Sequence, residues 1–192
     1  MDMSRSVPAG SQWDLLEEYS LNGNFDATWI DTEDIEEIAQ RFRANPDSGT
    51  LCDLKRSFEL VDNEVGHTMT WIGVHSPGWS VAVTMSGTLP FRPEASAGGR
   101  RIITHSHMAY IYELADEGML YYHDGELIGT LGAIEEFQDY TSDLEVGWDV
   151  GLQVTVESFL TLAGRITGRF LDRDWFAASR VLYRVPRDAW SR

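Results

Sequence analysis

The chain is poor in several things that would otherwise declare a function. It holds a single cysteine, Cys52, in 192 residues, so no internal disulfide can form. No window approaches the roughly 20 consecutive apolar residues that cross a bilayer. The stretch Met1 to Gln12 lacks the apolar core of a secretory signal. These absences together predict a cytoplasmic protein. A phosphate-binding glycine loop, a complete metal-ligand set and a recognisable nucleophile arrangement are missing too, so no metal or cofactor is expected.

Basic residues are scarce as well. The formal charge is -16, from 31 acidic and 15 basic residues, and Lys55 is the only lysine. A field of that sign opposes phosphate backbones, which excludes nucleic-acid binding, and it opposes anionic membrane surfaces for the same reason. Between Arg101 and Arg165 there is no Lys or Arg at all, whereas Glu135, Glu136, Asp139, Asp143, Glu145 and Asp149 fall there. After Arg165 arginine becomes frequent again. Two readings stay open: solubility with internal pairing between the acidic middle and the arginine-rich tail, or an acidic face that steers a basic protein partner.

What is present is apolar patterning. Seven Trp, seven Tyr and eight Phe are ample material for one core, and the length favours one domain. Residues 1–11 read as a flexible lead-in and 12–192 as a single α+β domain. The expected architecture is a mostly antiparallel sheet with helices packed on one face. A short helix or apolar anchor is predicted at Trp13 to Tyr19, followed by a turn at Asn22-Gly23-Asn24. The next helix is capped by Asp31 or Thr32 and carries Ile35, Ile38, Ala39 and Phe42 at helical spacing. Thr50 is read as the cap of another, carrying Leu51, Leu54, Phe58 and Val61.

Alternation then predicts strands at 68–74 and 79–85, a long loop over 86–100, and further strands at 101–104 and 109–114. A hairpin follows, with strands 119–123 and 126–131 closed by Asp124-Gly125. Residues 132–151 read as acidic and irregular. A helix over 154–167 stops at Gly168, and a short helix at 174–179 and a strand at 181–185 finish the chain.

Four segments resemble an uncharacterised actinobacterial domain-of-unknown-function family. They are Gly78-Trp79-Ser80-Val81-Ala82-Val83, Gly98-Gly99-Arg100-Arg101-Ile102-Ile103, Tyr121-Tyr122-His123-Asp124-Gly125-Glu126-Leu127-Ile128 and Leu162-Ala163-Gly164-Arg165-Ile166-Thr167-Gly168. Their order spans roughly residues 30–185. The resemblance implies a fold but no activity, cofactor or catalytic residue. At Ser106-His107-Met108-Ala109-Tyr110 the chain departs from the family pattern.

The chemical candidates are few. His105 and His107, two apart on a strand, point to one face; with Glu113, His75 or His123 they form a candidate metal or acid–base site. The carboxylates of 135–149 are interleaved with Phe137, Tyr140, Leu144 and Trp148, which suits either a raised carboxyl pKa or an acidic docking surface with aromatic anchors. Cys52 sits beside Asp53, which opposes a thiolate. Gly98-Gly99-Arg100-Arg101 offers amides and guanidinium groups to an anion, or is an ordinary loop. Trp71, Trp79 and Tyr110 are candidate walls of a small-molecule pocket, and Trp148 and Trp190 are the tryptophans expected nearest the surface.

The preferred reading is an acidic protein-binding or regulatory module of the immunity or inhibitor kind. Its candidate binding residues are Glu135, Glu136, Asp139, Tyr140, Asp143 and Trp148. A small enzyme using His105, His107 and Glu113, and a small-molecule binder, are the alternatives. Homodimerisation through a sheet edge also stays open.

Overall fold

The structure, a computed structural model, describes residues 3–61, 66–107, 119–147 and 149–191. In chain order the main elements are α1 (Gln12–Glu18), β1 (Asp26–Ile30), α2 (Ile35–Arg41), β2 (Thr50–Cys52), α3 (Leu54–Leu60), β3 (His67–Ser76) and β4 (Trp79–Ser86). Then come β5 (Arg101–Ser106), β6 (Met119–His123), β7 (Glu126–Thr130), α4 (Gln138–Thr141), α5 (Leu152–Thr167), α6 (Arg173–Ala177) and β8 (Arg180–Pro186). The strands form one sheet in the order β2-β8-β3-β4-β1-β5-β6-β7, and every pairing is antiparallel.

Alternation along the strands sorts the core into two layers. Ala27, Trp29, Trp71, Val81, Val83 and Ile103 face one side, where α1, α5 and α6 bring Leu16, Phe159, Leu160, Trp175 and Phe176. Ile30, Ile72, Ala82, Ile102 and Tyr122 face the other, under Ile38 and Ala39 of α2, Phe42 at its C-terminal cap and Phe91 of the 86–100 loop. The sheet and its α+β class are as expected, and most helices share one face. Among the described residues α2 lies across the sheet from them and, with the 86–100 loop, gives the second face its own core.

Several boundaries differ from the expectation for local reasons. Asp34, not Asp31 or Thr32, caps α2: its side chain accepts from the Glu37 amide. Asp31 turns instead to Arg101 and Thr32 to Glu37. Thr50 does not cap a helix; it opens the short edge strand β2, and Asp53 caps α3 by accepting from the Arg56 amide. The central strand β1 is buried along its whole length, between β4 and β5.

Asp124 and Gly125 have φ of 48° and 87°, the left-handed pair that a two-residue hairpin requires. Gly73 is demanded by packing. A Cβ there would lie 1.9 Å from Cδ of Arg180, whose guanidinium crosses β3 to stack 4.9 Å from the Trp175 ring. The predicted strand at 109–114 lies outside the described residues.

α5 anchors the helix-side layer. Val156, Phe159, Leu160 and Ala163 recur at helical spacing, and Thr155, Ser158, Leu162 and Arg165 are buried as well. Its outer side is covered by α1 and by the acidic segment. Glu157 receives the amides of Gln12 and Trp13 and the Ser11 hydroxyl, which places its negative charge at the start of α1.

Candidate functional site

The acidic segment is built against α5 by polar ties. Ser158 donates to the Glu145 carbonyl at 2.6 Å, and the Thr155 hydroxyl donates to the Gly147 carbonyl at 3.1 Å. Arg165 is the strongest of these ties. Its side chain is 0% exposed, with Nη1 and Nη2 set on the two carboxylate oxygens of Asp143 at 2.8 and 2.9 Å. Nη1 also donates to the Tyr140 carbonyl and Nε to the Ser6 carbonyl. The bidentate guanidinium holds the Asp143 carboxyl below its usual range.

Asp143, expected to face a partner, is therefore spent inside the molecule. Tyr140 is half-buried against the helix-side core, close to Phe137, whose ring stands edge-on to Tyr121 at 5.2 Å. The other carboxylates behave differently. Glu135, Glu136, Asp139, Glu145 and Asp149 are exposed and make no ion pair among the described residues. The hairpin strand β7, which leads into this segment, leaves Leu127 and Ile128 50% and 48% exposed. Leu127 is paired with Tyr122 and so lies on the α2 face of the sheet, opposite the face on which Phe137 packs against Tyr121. Trp148 lies outside the described residues.

Internal pairing takes up several of the other carboxylates. Glu37 binds both Arg41 and Arg100, Asp31 binds Arg101, and Glu18 binds Arg173. The anion that Gly98-Gly99-Arg100-Arg101 was suited to hold is the chain's own. Gly98 and Gly99, with φ of 81° and 80°, both direct their amides to Oδ1 of Asp124 at 2.9 Å, and the two arginines take Glu37 and Asp31. Asp124→Ala should cost about 1–2 kcal/mol in urea unfolding, since the released amides turn to water and alanine is placed at a φ of 48°. An unchanged midpoint would show that the contact contributes nothing.

His105 and His107 do come together, with ring centroids 5.1 Å apart, but in the core rather than on an open face. His105 lies by Phe25 and Phe159, and His107 by Trp13 and Phe25. His107 is fully buried, and its Nδ1 accepts the Phe25 amide at 3.0 Å, so the ring is neutral with its proton on Nε2. Burial pushes its pKa down to about 4. Neither suggested histidine helper is close. His75 stands edge-on to Trp175 near the C-terminal end of α5, and His123 lies by Tyr121. Glu113 is outside the described residues. Among the described residues no three His, Cys, Asp or Glu side chains are grouped to hold a metal.

Trp71 and Trp79 belong to the packed core. Trp71 donates to the Cys52 carbonyl and meets Trp175 edge-on at 5.4 Å, while Trp79 lies beneath Arg101. Tyr110, their expected companion, is outside the described residues. An open groove of about 610 Å³ lies elsewhere, between α1, α3 and α6, with Tyr19, Leu54, Phe58 and Phe176 among its walls. Cys52 is buried, and burial together with Asp53 raises its thiol pKa. Trp190 is half-buried, donating to the Pro90 carbonyl with the Arg43 guanidinium 4.1 Å from its ring.

No family model matches this chain, and no curated protein or solved structure is detectably similar to it. No helix among the described residues is long and apolar enough to cross a membrane.

Proposed function

We propose that the chain is an acidic protein-binding module of the regulatory or inhibitor kind, which engages a basic protein partner through the surface formed by residues 135–149 and β7. One observation carries this reading. Glu135, Glu136, Asp139, Glu145 and Asp149 stand exposed without an ion-pair partner among the described residues, on a segment whose inner side is fastened to α5. Solubility alone asks for charge anywhere on the surface; it does not ask for a clamped segment with its carboxylates turned outward. Clamping also lowers the entropy that a partner would otherwise have to remove on binding.

Glu135→Lys with Glu136→Lys tests the reading, because both side chains are exposed and the fold does not use them. The wild type should retain a basic protein from a native lysate, and the double variant should lose it. With the purified partner, affinity should fall by about 100-fold in the variant and should weaken with salt in the wild type. Equal retention by both proteins, or an affinity indifferent to salt, overturns the proposal.

A further inference from the structure

We propose, on the footing of that reading, that the partner binds by adding an extended basic segment as a strand to the free edge of β7. β7 is the last strand of the sheet among the described residues, and on one side of its backbone no described strand lies beside it. His123 and Glu126 pair across the two-residue turn, which directs the N–H and C=O of Leu127 away from β6. Leu127 and Ile128 stand half in solvent and offer apolar contact to the side chains of an incoming strand.

Charge selects the occupant. Glu126 is exposed at the turn end of the edge. At the other end, Glu136 is near enough to Tyr121 to add to the effect of burial in raising its phenol pKa, and Tyr121 is the cross-strand partner of Gly129. A Cβ at Gly129 would meet nothing within 4 Å, so the stem of a lysine or arginine can lie over it toward Glu136. A second copy of this chain, paired edge to edge, would set glutamates against glutamates. A strand alternating basic and aliphatic residues would meet carboxylates and Leu127 or Ile128 instead.

The β-bulge between Tyr121 and Tyr122, which makes Ile128 the extra residue, restricts the edge to short partners. At the opposite edge β2 offers three residues, Thr50–Cys52, followed by Asp53, Lys55 and Arg56, and carries no comparable bias.

The test alters the ligand first and the protein second. A short blocked peptide alternating lysine and valine is titrated into the full chain, beside versions N-methylated at every valine or at every lysine. Each version removes the backbone donors of one peptide edge and keeps its charge. The parent should bind, one methylated version should bind about tenfold more weakly, and the other should match the parent. If both methylated versions bind as the parent does, and Glu135→Lys/Glu136→Lys still abolishes binding, strand addition is wrong while the acidic-surface reading stands. If the parent binds the double variant as well as the wild type, or binds neither, the surface reading falls with it.

Discussion

Arg165→Ala should destabilise the protein by about 3–5 kcal/mol, a large part of the stability of an ordinary domain. The side chain is fully buried, and its four hydrogen bonds join α5 to two segments remote in sequence: Ser6 of the N-terminal stretch, and Tyr140 and Asp143 of the acidic segment. Truncation leaves a cavity and removes the donor from two carbonyls and a carboxylate. Asp143 is 39% exposed and can return to water, so Arg165→Met, which keeps much of the volume, should cost distinctly less than Arg165→Ala. Asp143→Ala should be worse than Arg165→Met, because it strands a buried cation. Urea unfolding of the three variants gives this order, and amide exchange over 140–147 should rise in each. If Arg165→Ala costs under about 1 kcal/mol, the clamp is not what holds the acidic segment.

The same residue shows how far the sequence could be read. One reading of the charge pattern had the arginines after Arg165 answer the acidic middle, but Asp143 of that middle takes Arg165 itself, while Arg169 and Arg173 take Asp172 and Glu18. Which carboxylate would be spent was not legible, since six of similar spacing were available and only the fold brings one of them to Arg165. The hairpin at Asp124-Gly125 and the helix ending at Gly168 were legible because their glycines take up backbone conformations that few other residues tolerate.

β1 was not legible. Asp26 and Ala27 disfavour strands, the strand formers Thr28, Trp29 and Ile30 make only a three-residue run, and the segment is held by its neighbours on both sides. With β1 goes the depth of the histidines. Ala27 pairs with His105 and the Phe25 amide occupies His107, so a pair that reads as a surface metal motif is in fact core. Alternation showed that the two rings share a face, but not that α1 and α5 would cover it.

That burial makes acid the condition most damaging to the fold. Stability should fall steadily between pH 6.5 and about 4, by about 3 kcal/mol for each of His75 and His107. Both pKa values are pushed down to about 4, from an ordinary 6.5. In that interval the unfolded chain therefore takes up protons that the folded chain refuses, and each proton favours unfolding. Above pH 6.5 both states are neutral at these sites and the stability is fully present; below about 4 both are charged and no more is lost.

The causes are geometric. His107 is closed in by Trp13 and Phe25, with Nδ1 already accepting an amide. His75 is 1% exposed, and its Nε2–H must donate to the Arg169 carbonyl. Burial is the largest cause there; that bond partly offsets it, the charges of Arg169 and Arg180 add to it, and Asp172 opposes them. Asp26 works against the trend, since burial raises its carboxyl pKa and the folded state binds its proton the more readily as pH falls. Asp143 works with the trend at the acid end, since Arg165 holds its carboxyl below the usual range and the unfolded chain takes up that proton first. His75→Gln can keep the donor to Arg169, and His107→Asn can keep the acceptor for Phe25, so each removes a titration with little change in shape. Unfolding free energies of both variants across pH 7.5 to 4 should each show a slope shallower by nearly one proton. A wild-type profile flat between pH 6.5 and 4.5 would mean that these two rings are not held buried and neutral in the fold.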